Sequence, residues 1–298
     1  MRKHVLSILF LVVAAGIWWV SFSPTLKNPI ADNANPVVVT SGYVPYTLTK
    51  QLAGERVNMR MLLLPNAEPH AFEPTPGALI SVKHADALVY VSDELEPWVK
   101  DVAKAAGAKT RVVALAEDFK DAQDPHVWMT VKNAQQMAVK IVQILTEVDP
   151  EHRAEYEANL TEFIQETDKL HAEFTRVLGA CQQRDVVHIG HLAFGRLSEE
   201  YGLHLEALSG SSHDGEHSAK KVAQLVDLIR QKAIKTLFTE ETISPRLAQT
   251  VADETHAQIL HLYPVEHVSK QDFEANVTYT TLMRRNLDSL ARGLVCKA

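Results

Sequence analysis

Short apolar runs alternate with amphipathic stretches along most of the chain. The runs "PVVVTSG" (36–42), "RVNMRMLLL" (56–64), "ADALVYVS" (85–92) and "TRVVALA" (110–116) are bounded by turn-forming or polar residues. Their length and their β-branched content predict buried strands. Between them, "VPYTLTKQLAG" (44–54), "LEPWVKDVAKAAG" (95–107) and "VKNAQQMAVKIVQILTEV" (131–148) carry helical periodicity, the first two stopped by Gly54 and Gly107. Strands alternating with helices of this length predict parallel βαβ units.

Residues 150–178 break the rhythm. Tyr156, Leu160, Phe163, Thr167, Leu170, Phe174 and Val177 recur at spacings of four and three, one apolar stripe on an otherwise polar helix. At 1.5 Å per residue such a helix runs about 40 Å, longer than a crossover needs. The alternation then resumes with strands "DVVHIG", "LHLEAL", "TLFTE" and "QILHLYP", helices at 193–202, 218–232 and 244–255, and a terminal helix over 272–294. The predicted fold is α/β: two Rossmann-like parallel-sheet lobes joined by one long backbone helix. The expected boundaries are 1–35 for a signal peptide or N-terminal anchor plus linker, 36–148 for the first lobe, 149–179 for the connecting helix and 180–298 for the second lobe.

The first residues change the picture of where the protein works. "MRKH" precedes the uncharged stretch "VLSILFLVVAAGIWWVSF" (5–22), a basic start and an apolar run that read as an export signal. The run approaches the roughly 20 residues that span a bilayer, and no small-x-small cleavage site follows. The segment is therefore either a cleaved signal or a retained anchor, and the protein is expected in the periplasm or otherwise outside the cytoplasm. In that oxidising setting Cys181 and Cys296, the only cysteines, either pair or remain two separate thiols. The net charge of −7 and the absence of a Lys/Arg block exclude nucleic acid as an expected partner. A monomer is expected.

In open α/β sheets, ligands bind beyond the carboxyl ends of the strands. Three histidines fall there: His70 in the proline-stiffened loop "LLLPNAEPHAFEPTP", His126 in "DPHVW" and His191 in "HIGHLAFG". Two belong to the first lobe and one to the second, so they can converge only between the lobes. Imidazole is the commonest protein ligand for zinc and similar ions. Asp124, Glu68 and Glu73 are candidate acceptors for the second ring nitrogens. Glu240, at the end of the "TLFTE" strand, is placed at the same edge as the three histidines. A second, looser cluster, "SSHDGEHSA", contains His213 and His217 and reads as a solvated surface loop.

The segments "LLPNAEPHAFEPTP", "ELEPWV", "DPHVW", "HLAFGRLSEEYGL", "LFTEETISPRLAQTVADET" and "YTTLMRRNL" resemble the metal-binding solute receptors of zinc and manganese ABC transporters, from about residue 37 to 294. That resemblance implies two lobes around a backbone helix, with metal held at their interface by His70, His126 and His191, and an ABC membrane permease as partner. The family's aspartate after the last strand is replaced here by Tyr263 in "LYPV", so the fourth ligand is expected to be Glu240, with Glu68 or water as alternatives. The cargo is expected to be zinc, which three imidazoles suit, with manganese or iron as the alternative. Two other readings use the same residues: a hydrolase with a three-histidine zinc centre, for which no H-E-x-x-H motif is present, and a surface adhesin on the receptor fold. The reading as a receptor is not that of an enzyme.

Overall fold

A computed structural model describes residues 35–119, 124–210 and 219–297, and the chain divides into residues 1–34 and a compact unit of 35–298. The apolar stretch 5–22 and the residues His213 and His217 lie outside the described residues. Among the described residues no helix is long and apolar enough to cross a membrane.

The first lobe contains β1 (Val37–Thr40), α1 (Tyr43–Ala53), β2 (Asn58–Met61), α2 (Pro76–Lys83), β3 (Ala87–Tyr90), α3 (Val99–Lys104), β4 (Arg111–Ala114) and α4 (Val131–Val148). The connecting helix α5 runs Arg153–Gly179. The second lobe contains β5 (Asp185–Ile189), α6 (Gly195–Glu200), β6 (His204–Ala207), α7 (Ala219–Gln231), β7 (Thr236–Thr239), α8 (Pro245–Thr255), β8 (Gln258–His261), α9 (Lys270–Glu274) and α10 (Tyr279–Gly293). Both sheets are parallel, and their orders are β2-β1-β3-β4 and β6-β5-β7-β8. The two lobes thus repeat one topology, each reversing strand order beside its first strand, and that is where such sheets open a crevice.

The composition of the strands explains their positions. The central strands "VVVT", "ALVY", "DVVHI" and "TLFT" are almost wholly buried, because helices cover both faces. The edge strands "NMRM", "RVVA", "HLEA" and "QILH" carry the polar residues and are half exposed. The strand expected over 56–64 pairs only over Asn58–Met61.

On α5, Tyr156, Phe163, Thr167, Leu170, Phe174 and Leu178 are buried. All but Thr167 join α1, α4 and α10 in a single apolar cluster that reaches from Val38 in the first lobe to Leu294 in the second. Each fully buried aromatic or leucine of this stripe contributes about 1.5–3 kcal/mol, so the lobes share one core across α5. Cys181 and Cys296 form a disulfide that ties the start of the second lobe to the end of α10.

Two elements differ from expectation. The chain has a helix at Pro76–Lys83, started by Thr75, whose hydroxyl accepts the Ala78 N–H at 3.2 Å, and by proline at its first position. The terminal helix is two helices. Asn276 takes φ 52°, and Thr278 caps α10 by accepting the Thr281 N–H at 3.2 Å. A left-handed asparagine followed by a threonine cap ends one helix and begins another.

Candidate metal centre

The site is assembled from the carboxyl ends of β2, β4, β5, β7 and β8. His70 lies in the loop after β2, where Trp98 Nε1 donates to Pro69 O at 2.7 Å and fixes the preceding residue. His126 lies after β4 and just ahead of a single 3-10 turn, Val127–Met129. Its backbone N–H donates to Asp124 Oδ1 at 3.0 Å, a local turn that sets the loop. His191 follows β5 directly. Glu266 comes from the loop after β8, two residues past Pro264, whose carbonyl accepts Trp128 Nε1–H from the first lobe at 2.7 Å. Val265, immediately before it, is fully buried and has φ 67°. A β-branched residue in the left-handed region is strained, and such strain concentrates where a side chain must be aimed.

Four donors converge. His70, His126, His191 and Glu266 each offer one ligand atom, all within 4.8 Å of one another. His191 Nε2 lies 2.9 Å from Glu266 Oε1 and 3.1 Å from His126 Nε2, and Glu266 Oε2 lies 3.3 Å from His126 Nε2 and 3.9 Å from His70 Nε2. Tetrahedral zinc with bonds of about 2.0–2.1 Å places its donors roughly 3.3–3.4 Å apart. The observed separations straddle that value. His70 Nε2 is buried and has no hydrogen-bond partner, which is what a ring nitrogen reserved for a cation would show.

The second nitrogens are oriented by carboxylates. His126 Nδ1 meets Asp124 Oδ1 at 2.8 Å, and His191 Nδ1 meets Glu240 Oε1 at 3.0 Å. Both contacts turn Nε2 toward the centre, the usual means by which acids fix the tautomer of ligating histidines. Two glycines of "HIGHLAFG" make room for these acids. A Cβ on Gly190 would lie 2.3 Å from Glu240 Oε1, and one on Gly195 would lie 2.7 Å from Asp124 Oδ2. Arg196 then holds the Asp124 carbonyl from the other lobe, with Nε–H donating at 2.9 Å.

Glu240 was expected to complete the set of four. The structure puts its carboxylate on the outer nitrogen of His191, and Glu266 takes the place beside the three Nε2 atoms. The physical reason is reach: Glu240 leaves β7 directly beneath His191, whereas the β8 loop carries Glu266 over the centre. Of the other acids, Glu68 accepts the His70 N–H at 3.2 Å, but Glu73 is exposed at the surface and takes no part. Tyr263 is anchored instead by Asn286, which accepts its N–H at 2.7 Å.

Charge follows geometry. Burial opposes a proton on His126, but hydrogen bonds that its ring donates to Asp124 and Glu266 outweigh it and raise its pKa above the usual imidazole value. Burial likewise opposes a proton on His191, and Glu266 and Glu240 overcome it by a wide margin. Glu266 is held well below the usual carboxylate range; burial works against its charge, and the His191 and His126 partners prevail. His70, with burial dominant and weaker acidic neighbours, is pushed down. The Glu266 carboxylate thus lies between the two rings whose protonated forms it favours, beside a third ring whose protonated form burial disfavours.

Two parallel-sheet lobes on a helical spine, with a buried donor set drawn from both, are the architecture of helix-linked solute-binding proteins. The chain belongs to the family described as "Zinc-uptake complex component A periplasmic", matched over residues 38–293. It is 30% identical over 282 residues to the "High-affinity zinc uptake system protein ZnuA" of Bacillus subtilis, covering 88% of each chain. It is 28% identical over 320 residues to "Zinc-binding protein AdcA" of Streptococcus pyogenes, covering 97% of this chain and 61% of that one. The chain thus spans about three-fifths of the AdcA relatives it matches. Among solved structures, the Zn(II)-bound ZnuA-like domain of Streptococcus pneumoniae AdcA superposes with a TM-score of 0.77 at 29% identity, covering 87% of this chain and 99% of that one.

Proposed function

We propose that this protein is an extracytoplasmic receptor that captures one zinc ion between its lobes, through Nε2 of His70, His126 and His191 and the carboxylate of Glu266, and delivers it to the permease of an ABC importer. The observation that carries this reading is the donor set itself: three imidazole nitrogens and one carboxylate, with separations of 2.9–3.9 Å that bracket a tetrahedral ion. Nitrogen-rich donors favour zinc over manganese, which takes more oxygens. Zinc and protons compete for the Nε2 atoms of His126 and His191, and Glu266 passes from a partner of those rings to a ligand. Membership of the zinc-uptake family and its Zn(II)-bound structural neighbour support the same cargo.

The hydrolase reading fits less well. Catalytic zinc keeps a coordination position open for water, and here Glu266 stands in that position. Export follows from the basic-then-apolar start of the chain, with residues 5–22 acting as signal or anchor. Calorimetric titration of chelator-stripped protein tests the proposal: one saturable zinc equivalent is expected, and the absence of saturable heat with zinc, manganese and iron would overturn it. Radioactive zinc uptake by cells deprived of the gene tests delivery; unchanged uptake at low zinc would contradict that step.

A further inference from the structure

Beside the four-donor centre lies a second group of donors that shares Glu266 with it and adds His267, which the capture of one ion does not use. Glu240, Glu266 and His267 are all buried and offer donor atoms within 4.8 Å of one another. His267 Nε2 is the informative atom. Its side chain is 2% exposed, and this nitrogen has no hydrogen-bond partner. It sits 3.9 Å from Glu240 Oε2 and 4.0 Å from Glu266 Oε1. Those gaps are too long for hydrogen bonds. They suit two donors on one ion, whose separation runs from roughly 3.3 Å at the tetrahedral angle to about 4.2 Å when opposed.

We propose that the pocket holds a second divalent-metal position, formed by His267, Glu240 and Glu266, with Glu266 bridging the two ions. The bridge follows from the carboxylate's geometry: Oε2 faces His70 and His126, while Oε1 lies toward His191 and His267. Glu240 likewise keeps Oε1 on His191 Nδ1 and turns Oε2 to His267. One nitrogen and two carboxylate oxygens, with room in the coordination sphere for water, make a harder site than the first, suited to zinc, manganese or ferrous ion. Two divalent ions sharing one carboxylate repel, so the second position binds more weakly than the first. The inference rests on the four-donor centre proposed above.

The test is a competition titration of the metal-stripped full chain with zinc against a chromophoric chelator. The wild-type protein is expected to take one tight equivalent and a second at least about a hundredfold weaker. His267→Ala and His267→Gln should weaken the second by tenfold or more and change the first by less than about threefold. The double variant His213→Ala/His217→Ala should keep both. A single equivalent in the wild type overturns the second position and leaves the first standing; no tight equivalent overturns both. A weak equivalent that disappears in the His213/His217 variant and survives in the His267 variants also overturns it. Cobalt(II) loading of the wild type gives a readout free of any variant's folding. Ions bridged by a carboxylate couple magnetically, so the resonance of the two-cobalt protein should fall short of twice that of the one-cobalt protein. Simple doubling would refute the bridge.

Discussion

Replacing Glu266 by glutamine and, separately, Glu240 by glutamine distinguishes a ligand from a residue that orients one. The two side chains stand on opposite sides of His191, with Glu266 Oε1 2.9 Å from Nε2 and Glu240 Oε1 3.0 Å from Nδ1. Glu240→Gln keeps an oxygen for the Nδ1–H bond and removes only charge. Its cost should fall in the range of about 10–100-fold in zinc affinity seen for outer partners of ligating histidines. Glu266→Gln removes the one anionic ligand and puts a weakly donating amide in its place, so its loss should exceed about 100-fold, or roughly 2.7 kcal/mol. The metal-free proteins should differ too. Glu266 is buried between the His126 and His191 rings, whose protonated forms it favours, and breaking a buried ion pair from one side costs about 3–5 kcal/mol. The linkage has a definite sign. The lowered Glu266 pKa contributes stability above its unfolded value of about 4.3, and the raised His126 and His191 values contribute it below about 6.5. The Glu266→Gln deficit should therefore be largest between those limits and shrink as pH rises through the folded histidine pKa values. Chelator-competition Kd values and thermal melts of metal-free protein at pH 5.5 and 8 measure both quantities. Equal affinity losses for the two variants, or a larger loss for Glu240→Gln, would refute the placement of Glu266 in the inner set.

Three further outcomes follow from the same geometry. Gly190→Ala drives a Cβ to 2.3 Å from Glu240 Oε1, so zinc affinity should fall about 10–100-fold through misorientation of His191 while overpacking costs about 1–3 kcal/mol; a lower melting point with wild-type affinity would show that Glu240 does not hold the ring. Zinc affinity should begin to fall above the unperturbed imidazole value of about 6.5 as pH drops from 8, because the acids beside His126 and His191 raise the pH at which protons compete for those rings. A Kd flat down to pH 6.5 would contradict the raised values. The disulfide spans 115 residues, so Cys181→Ser/Cys296→Ser should lose about 4–5 kcal/mol of stability. It lies at the amino ends of the strands, away from the centre, and zinc affinity should stay within about threefold; a tenfold loss in calorimetry would link the bridge to the site.

Much of this architecture was legible in the sequence because it rests on local periodicity. Buried central strands read as unbroken apolar runs, and α5 declares itself by a stripe from Tyr156 to Phe174. The rule that strand ends carry ligands singles out His70, His126 and His191 without knowledge of which strands pair, and the structure brings their ring nitrogens together. Glu266 was missed for a physical reason. It sits in "YPVEHV", and its reach over the centre depends on Trp128 holding Pro264 O across the lobes and on the left-handed turn at Val265. Neither contact has a local signature. One weak signal was available: an acid placed, like the histidines, in a loop just past a strand end. The split of the terminal helix was readable from Thr278 and the asparagine before it, but the apolar pattern of α10 extends back far enough to hide it.

The central claim is the identity of the inner donors, and the most direct test is a crystal structure of the zinc-loaded protein with anomalous diffraction recorded at the zinc edge. The account predicts a principal zinc peak bonded to Nε2 of His70, His126 and His191 at about 2.0–2.1 Å and to a Glu266 oxygen at about 2.0–2.2 Å. A principal peak bonded to Glu240, or lying away from the lobe interface, would contradict it.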